Sequence, residues 1–353
     1  MACKVSWEGL LSAEASPLIS VITPAHNHES FIDSCIQSVL RQTYPRWEQI
    51  IVDDGSADRT REIVRRYTDS RIRLIEQTHR GMEALAATYN LALAEAKGNL
   101  IAILEGDDTW PEDKLSIMVS AFRDPEIVLA FGEVQNMDEN GVETKGSSRT
   151  SRQRARLPHS VLFNDPVRSS TYHLLTISGQ TFIAPSTVLV RREALDAIGG
   201  FQDVPGVCPV DVPTFARLSL MGKFHYFPKL LGYRRHHLRS ATVQYLDTLT
   251  RTARGFALTA SADPQFGLTL AERKSVEQSW RAVPFAAQFW QGRICLIKGQ
   301  REEARKHFAE AMKTREFLLV FASVVGWGLS WLHCNMEGLA RLAGRPTLVA
   351  DKT

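Results

Sequence analysis

From Leu18 onward, continuous apolar runs alternate with amphipathic segments in strand-then-helix order. LISVIT (18–23) opens the series, and a helix follows from about Ser30 to Gln42, with Phe31, Cys35, Val39 and Leu40 recurring at helical spacing. Next come the strand QIIVDD (49–54), a helix from Asp58 to Tyr67 and the strand IRLIE (72–76). A helix from Met82 to Ala96, closed by Gly98, then leads into the strand LIAILEG (100–106). Strands that read as unbroken apolar runs between helices predict a parallel sheet covered on both faces. Sheets of this doubly wound α/β type hold ligands beyond the carboxyl ends of their strands.

After Glu133 the pattern weakens, and the polar stretch 136–160 predicts a long excursion. Order returns with FIAPSTVLVRREALDAIGGF (182–201), a strand and a helix ending at Gly199-Gly200, and from about Tyr245 the chain is helical in character. These shifts predict a loose tail at 1–16, an α/β domain at 17–245 and a helical domain at 246–353. Within the last, residues 286–313 resemble one tetratricopeptide-type hairpin, although stacked repeats of that kind normally need about three units to bury their faces. Phe317 to Leu332 carries no charge. A membrane span needs ~20 apolar residues, so this shorter run predicts a buried helix or one lying in the membrane surface rather than a crossing. Trp280, Trp290, Trp327 and Trp331 are expected in a helical core.

Composition narrows the class. A 353-residue chain with 44% hydrophobic and 23% charged residues is that of a soluble globular protein, and a net charge of +3 argues against nucleic-acid binding. The five cysteines, Cys3, Cys35, Cys208, Cys295 and Cys334, are scattered without a C-x-x-C pair, which points away from disulfides and zinc and toward a reducing, cytoplasmic compartment. The first 16 residues hold no apolar run of signal-peptide length.

Three acidic positions carry candidate chemistry. Asp53-Asp54 ends a predicted strand ahead of Gly55-Ser56; capping a helix accounts for one acid, and the other could accept from a nucleobase N–H. Glu105, Asp107 and Asp108 crowd three carboxylates into four residues, and two unit charges ~4 Å apart repel by about 4 kcal/mol at an effective dielectric of ~20. A divalent cation with oxygen ligands, Mg2+ or Mn2+, resolves that repulsion and bridges to a pyrophosphate; a solvated turn capping the helix before Lys114 is the bland alternative. Asp211, between Val210 and Val212, is by pattern a cap or a base.

The opening ISVITPAHNHESFIDSCIQSVLRQTYPRWEQIIVDDGSADRT, the EGDDTWPEDKL segment, IAPSTVLVRREALDAIGGF and the ending KLLGYRRHHLRSAT together resemble glycosyltransferase family 2, the inverting enzymes of the GT-A fold, over about residues 17 to 243. The resemblance implies a GT-A-type doubly wound, mainly parallel sheet with a helical C-terminal domain. It implies that Pro24 and Asn27 border the nucleotide, that Asp54 pairs with the base and that Asp107 contacts the ribose. Asp108 would be the metal ligand, with Glu105 in the first place of the acidic motif. Asp211 would be the catalytic base, Arg217 on the same helix a donor contact, and His236 would sit near the diphosphate. The implied reaction moves a sugar from a UDP- or dTDP-linked donor to a hydroxyl on a glycan, lipid-linked glycan or small molecule; with the apolar run 317–332 read as a membrane-surface helix, it would take place in the cytoplasm at the inner face of the membrane, with peripheral contact through 317–332. The chain departs from the family pattern at Val210, where many members have Glu, at His26, often Tyr, and at Tyr89, frequently Arg. Two other classes fit parts of the pattern. A nucleotidyltransferase would carry a glycine-rich phosphate loop after the first strand, where this chain reads Pro24-Ala25-His26-Asn27. A non-catalytic nucleotide-sugar-binding module would show no donor hydrolysis.

Overall fold

The computed structural model describes residues 16–144, 183–204, 210–332 and 334–342. The tail at 1–15, the part of the predicted excursion from 145 to 160, Cys3 and Cys208 lie outside them.

The first part of the chain runs β1 (Ile19–Ala25), α1 (Ile32–Leu40), β2 (Trp47–Asp54), α2 (Thr60–Arg65), β3 (Ile72–Gln77), α3 (Leu85–Glu95), β4 (Leu100–Ile103), α4 (Lys114–Met118) and β5 (Ile127–Met137). It continues with β6 (Leu189–Arg191), α5 (Arg192–Ala197), α6 (Asp211–Leu218) and β7 (Lys223–Arg235). The strands form a seven-stranded sheet among the described residues, in the order β3-β2-β1-β4-β6-β5-β7. β6 is antiparallel to β4 and β5, and the remaining pairs are parallel. Six strands therefore point their carboxyl ends at one edge.

The unbroken apolar runs are explained by burial on both faces. β4 sends Ile101 and Ile103 into a cluster with Tyr89, Ala92 and Leu93 of α3, whereas Leu100 and Ala102 pack on Cys35, Val39, Leu115 and Met118 on the other side. Each fully buried isoleucine, leucine, valine or methionine among them contributes roughly 1.5–3 kcal/mol. Polar positions in β2 are buried with partners: Glu48 accepts from Ser20 Oγ at 2.7 Å and from Lys97 N–H at 2.6 Å. Two elements differ from expectation. β5 continues to Met137, four residues beyond the point where the pattern weakens, because its outer half pairs with β7. The segment KFHYFPKLLGYRR, to which the sequence pattern assigns no element, is β7, the longest strand of the sheet among the described residues.

Beyond β7 the described chain is helical: α7 (Ala241–Gln244), α8 (Leu246–Ala262), α9 (Leu270–Ser279), α10 (Val283–Ile297), α11 (Arg301–Ala311), α12 (Phe317–Trp331) and α13 (Glu337–Leu342). α9 starts with a capping box in which Thr269 and Glu272 satisfy each other's backbone N–H groups. α8 and α9 pack on Ala216 of α6 through Ala253, Ala257, Val276 and Trp280. α10 and α11 form the expected hairpin; Gly292 leaves room for the Phe308 ring, which a Cβ there would meet at 2.7 Å. Trp327 and Trp331, expected in the core, are 40% and 58% exposed, because the inward positions of α12 are taken by Ser323, Gly326 and Ser330. Among the described residues no helix is long and apolar enough to cross a membrane.

Candidate active site

Two adjoining cavities open at the carboxyl edge of the sheet. The first, of about 300 Å³, is lined by the loops after β1, β2 and β4, by residues following β3 and by the end of β7, and it collects Pro24, Asn27, Asp54, Asp107 and His236. Its floor is a network between the first two loops. Asn27, at φ 54, donates its N–H to Ser56 Oγ at 2.9 Å and accepts at Oδ1 from the Ala57 N–H at 2.9 Å. His26 Nδ1 donates to the Asp54 carbonyl at 2.7 Å and stacks on the His79 ring at 4.2 Å. The two neighbouring aspartates divide their work. Asp53 accepts from the Ser56 N–H and hydroxyl and closes the turn, while the Asp54 carboxylate accepts from Gln77 Nε2 (2.7 Å), Arg80 N–H (2.9 Å) and Gly81 N–H (3.0 Å), with the His79 ring beside it bonding the Asp54 carbonyl at 3.0 Å. Burial works to raise the Asp54 pKa, but these donors outweigh it and hold it below the ordinary carboxylate value. Gly55 makes the turn feasible: its φ is +66°, and a Cβ would lie 2.5 Å from the His79 backbone nitrogen.

The acidic loop after β4 sits between the cavities. Oxygens of Glu105, Asp107 and Asp108 lie within 4.8 Å of one another. Asp107 Oδ2 accepts from His237 Nε2 at 3.0 Å; burial opposes, yet that bond and the nearby His28 take its pKa down to about 2. Burial raises Glu105 to about 7, with Asp107 adding to the shift, and the Tyr89 hydroxyl donates to it at 3.4 Å. Asp108 Oδ1 accepts the Arg235 N–H at 2.9 Å, while its Oδ2 is buried without a partner among the described residues. Burial first, then Asp107 and Glu105, push the Asp108 pKa well above the usual range. An orphaned carboxylate oxygen facing two further acids is a donor set of hard oxygens that fits a divalent cation. Arg235 fastens this loop from below, its Nε donating to the Asp107 carbonyl at 2.8 Å, and Thr109 and Tyr233 exchange backbone bonds of 3.2 and 2.8 Å.

The second cavity, of about 270 Å³, shares Glu105, Asp108 and Arg234 with the first and adds Asp211. Asp211 begins α6, and burial raises its pKa, with backbone N–H groups and Arg234 pulling part of the way back. Leu249, Ala253, Trp280 and Val283 close the far wall, so the helical region shapes this pocket directly. Arg234, on the shared wall, donates to Thr242 Oγ1 at 2.9 Å. His236 is held neutral, its pKa lowered to about 3 by burial and by Arg234.

The structure brings Pro24, Asn27, Asp54, Glu105, Asp107, Asp108, Asp211 and His236 to these two cavities. Arg217 lines neither: its guanidinium donates to Gln265 Oε1 at 2.6 Å and lies over the Phe266 ring. Six residues along a helix is about 240° of rotation, which turns Arg217 away from the face that carries Asp211. His79, Arg234, Arg235 and His237 belong to the site without having been singled out as functional. The signal for the last three was the YRRHH run itself, two arginines and two histidines at a sheet edge that carries three acids.

Comparison with known proteins gives concordant matches. Residues 20–199 match the model for "Glycosyl transferase family 2". The UDP-Glc:alpha-D-GlcNAc-diphosphoundecaprenol beta-1,3-glucosyltransferase WfgD of Escherichia coli is 38% identical over 128 residues, which is 36% of this chain and 50% of that protein. The chain thus spans about half the length of that curated relative. Among solved structures, mannosyltransferase PcManGT from Pyrobaculum calidifontis in complex with GDP-Man and Mn2+ superposes with a TM-score of 0.55 at 20% identity, covering 93% of this chain and 84% of that one. S. aureus TarS 1-349 in complex with UDP-GlcNAc gives a TM-score of 0.55 at 17% identity, covering 93% and 92%. At these identities the likeness is one of fold: a GT-A-type, mainly parallel sheet followed by helices.

Proposed function

The chain belongs to glycosyl transferase family 2, and from that premise we propose that it moves a sugar from a nucleotide-diphosphate donor to an acceptor hydroxyl with inversion. The observation that carries this reading is the meeting of two cavities at Glu105, Asp108 and Arg234, one holding the nucleotide-side residues and the other Asp211. A single displacement needs such a division, with the leaving group on one side and the base with its acceptor on the other.

In this reading the first two loops and Asp54 seat the nucleoside. The Asp54 carboxylate already accepts three donors, so a base N–H would join them or replace one. Glu105, Asp107 and Asp108 would hold Mg2+ or Mn2+, which when bound offsets the negative charge gathering on the departing diphosphate. Arg234 adds a fixed cation on the same wall. Asp211 takes the proton of the acceptor hydroxyl as that oxygen attacks the anomeric carbon and the bond to the diphosphate breaks; burial of its carboxyl strengthens it as a base when ionised. In this reading the donor is a UDP- or dTDP-sugar and the acceptor a glycan or lipid-linked glycan; the E. coli relative's name carries UDP-Glc and a diphosphoundecaprenol and the TarS structure holds UDP-GlcNAc, while PcManGT holds GDP-Man.

A calorimetric screen of nucleotide sugars with Mn2+, followed by donor hydrolysis without acceptor, tests the proposal. Chelator-sensitive binding with slow hydrolysis supports it. Binding without any hydrolysis or transfer would reassign the chain as a binding module, and no binding of any nucleotide sugar would overturn the reading.

A further inference from the structure

α12 is built inside out. Its fully buried positions are Ser323, Gly326 and Ser330, spaced three and four residues apart, with Val325 and Leu329 partly buried against the Phe308 cluster and the serine hydroxyls donating to Leu319 and Trp327 carbonyls of the same helix. Gly326 is packed so closely that a Cβ would lie 2.5 Å from the Phe308 ring. The large apolar side chains point the other way: Phe317 and Leu318 are each 78% exposed, Leu332 70% and Phe321 61%, with Val324 and Trp331 on the same side. A helix bathed in water buries its large apolar stripe and exposes small and polar residues. α12 instead leaves a contiguous stripe of large apolar side chains outside, the mark of a face that contacts something other than water.

We propose that this face of α12 lies in the interfacial layer of a bilayer that carries anionic head groups. Fifteen residues of helix extend ~22 Å, short of the ~30 Å hydrocarbon core, so the helix lies in the membrane plane. No charged residue falls within 317–332. Cations stand at the rim: the Arg305 guanidinium lies 4.2 Å from the Trp331 ring, and Arg315 is exposed two residues before the helix. Lys306 bridges Glu303 and stands 3.9 Å from Glu302, Lys313 pairs with Glu310, and Glu316 sits at the α12 N-cap; over 301–316 Arg301, Arg305, Lys306, Lys313 and Arg315 exceed Glu302, Glu303, Glu310 and Glu316 by one positive charge. Tryptophans at the edge of an apolar stripe with arginines beside them match the interface between acyl chains and phosphate head groups. A second copy of the chain docking on this face would instead bring the two basic rims together. α10 runs from Val283, on the wall of the Asp211 cavity, to the hairpin that supports α12, a distance of ~22 Å along its axis. Resting on the transferase reading, this ties the membrane-facing hairpin to the wall of the Asp211 cavity through one helix; the membrane contact itself stands on α12 alone.

The test is flotation of the full chain with vesicles of phosphatidylcholine alone and of an equal mixture with phosphatidylglycerol, for wild type and Phe317→Ser/Phe321→Ser/Leu332→Ser. These side chains touch neither cavity, so nucleotide affinity and melting temperature report that the variant folds. Wild type is expected to float with the mixed vesicles, to lose partition as salt rises, and to exceed the variant by at least tenfold. Absence of wild-type flotation with the mixed vesicles, or equal flotation of the variant, overturns the proposal. So does a wild-type dimer in light scattering that the variant loses while neither floats, which would assign the face to a second copy. Nucleotide binding is read separately, so failure here leaves the transferase reading standing.

Discussion

Replacing Asp108 with Asn should stabilise the cation-free protein while abolishing its response to the cation. Oxygens of Glu105, Asp107 and Asp108 lie within 4.8 Å of one another, a separation at which two unit charges repel by about 3.5 kcal/mol at an effective dielectric of ~20. In Asp108→Asn the amide oxygen keeps the bond from the Arg235 N–H, and the amide NH2 replaces the partnerless Oδ2 with a donor facing two carboxylates. The full repulsion is not recovered, because wild type relieves part of it by taking up a proton: burial and its neighbours push Asp108 and Glu105 upward, Glu105 to about 7. Acids whose folded pKa is raised bind more protons folded than unfolded, so their stabilising contribution is complete at low pH and is lost as pH rises through the folded value. Without cation, wild type should therefore lose stability from about pH 4 to pH 7, a window set by the ordinary carboxylate value and Glu105. The gain from Asp108→Asn should be larger at pH 8 than at pH 5. At ~2–4 °C per kcal/mol, a gain of 1–2 kcal/mol raises the melting temperature by several degrees. Saturating Mn2+ at a hundredfold excess over its dissociation constant should stabilise wild type by ~2.7 kcal/mol and the variant by almost nothing. Calorimetric melts with chelator and with Mn2+ at both pH values measure all of this. A cation-free variant that melts below wild type, or an equal Mn2+ shift in both proteins, would refute the reasoning.

Two further outcomes follow from the site's geometry. Gly55→Ala forces a Cβ against the His79 backbone at a left-handed φ and should cost ~1–3 kcal/mol in a thermal melt, together with nucleotide affinity; a melt within a degree of wild type would contradict the packing. Arg234→Ala should weaken nucleotide-diphosphate binding by roughly ten- to a hundredfold, the order expected for losing a charge-assisted contact of ~1.5–3 kcal/mol, with little change in melting temperature. Unchanged calorimetric affinity would remove Arg234 from the leaving-group side.

The half of the sheet built from β1, β2, β3 and β4 was legible because most of its strands are buried on both faces and so read as apolar runs with helices between. β7 was not, because it mixes exposed Lys229 with buried Leu231 and carries Pro228, and its pairing with β5 is interrupted by register shifts. The acids at strand ends announced the site, since repulsion among neighbouring carboxylates is visible from spacing alone. Their partners were not visible: Arg235 reaches Asp107 and Asp108 across more than a hundred residues of chain, a proximity that only the sheet order creates. Hydrophobicity marked Phe317 to Leu332 as apolar, but it does not say which face is turned inward, and Trp327 and Trp331 were placed in the core for that reason. Arg217 was assigned by its neighbourhood in sequence and lost by its position around the helix.

The most direct test of the account is the separation of donor binding from transfer in Asp211→Asn. The substitution keeps the shape of the side chain at the start of α6 and removes its basicity, and it lies in the cavity that does not hold the nucleotide-side loops. Losing a general base typically costs ~10²–10⁴-fold in rate. Nucleotide-sugar affinity within a few fold of wild type, together with a fall in transfer rate of that order, is the result expected. Transfer within a few fold of wild type would contradict Asp211 as the base, and parallel loss of affinity and transfer would contradict the division of the site into two cavities.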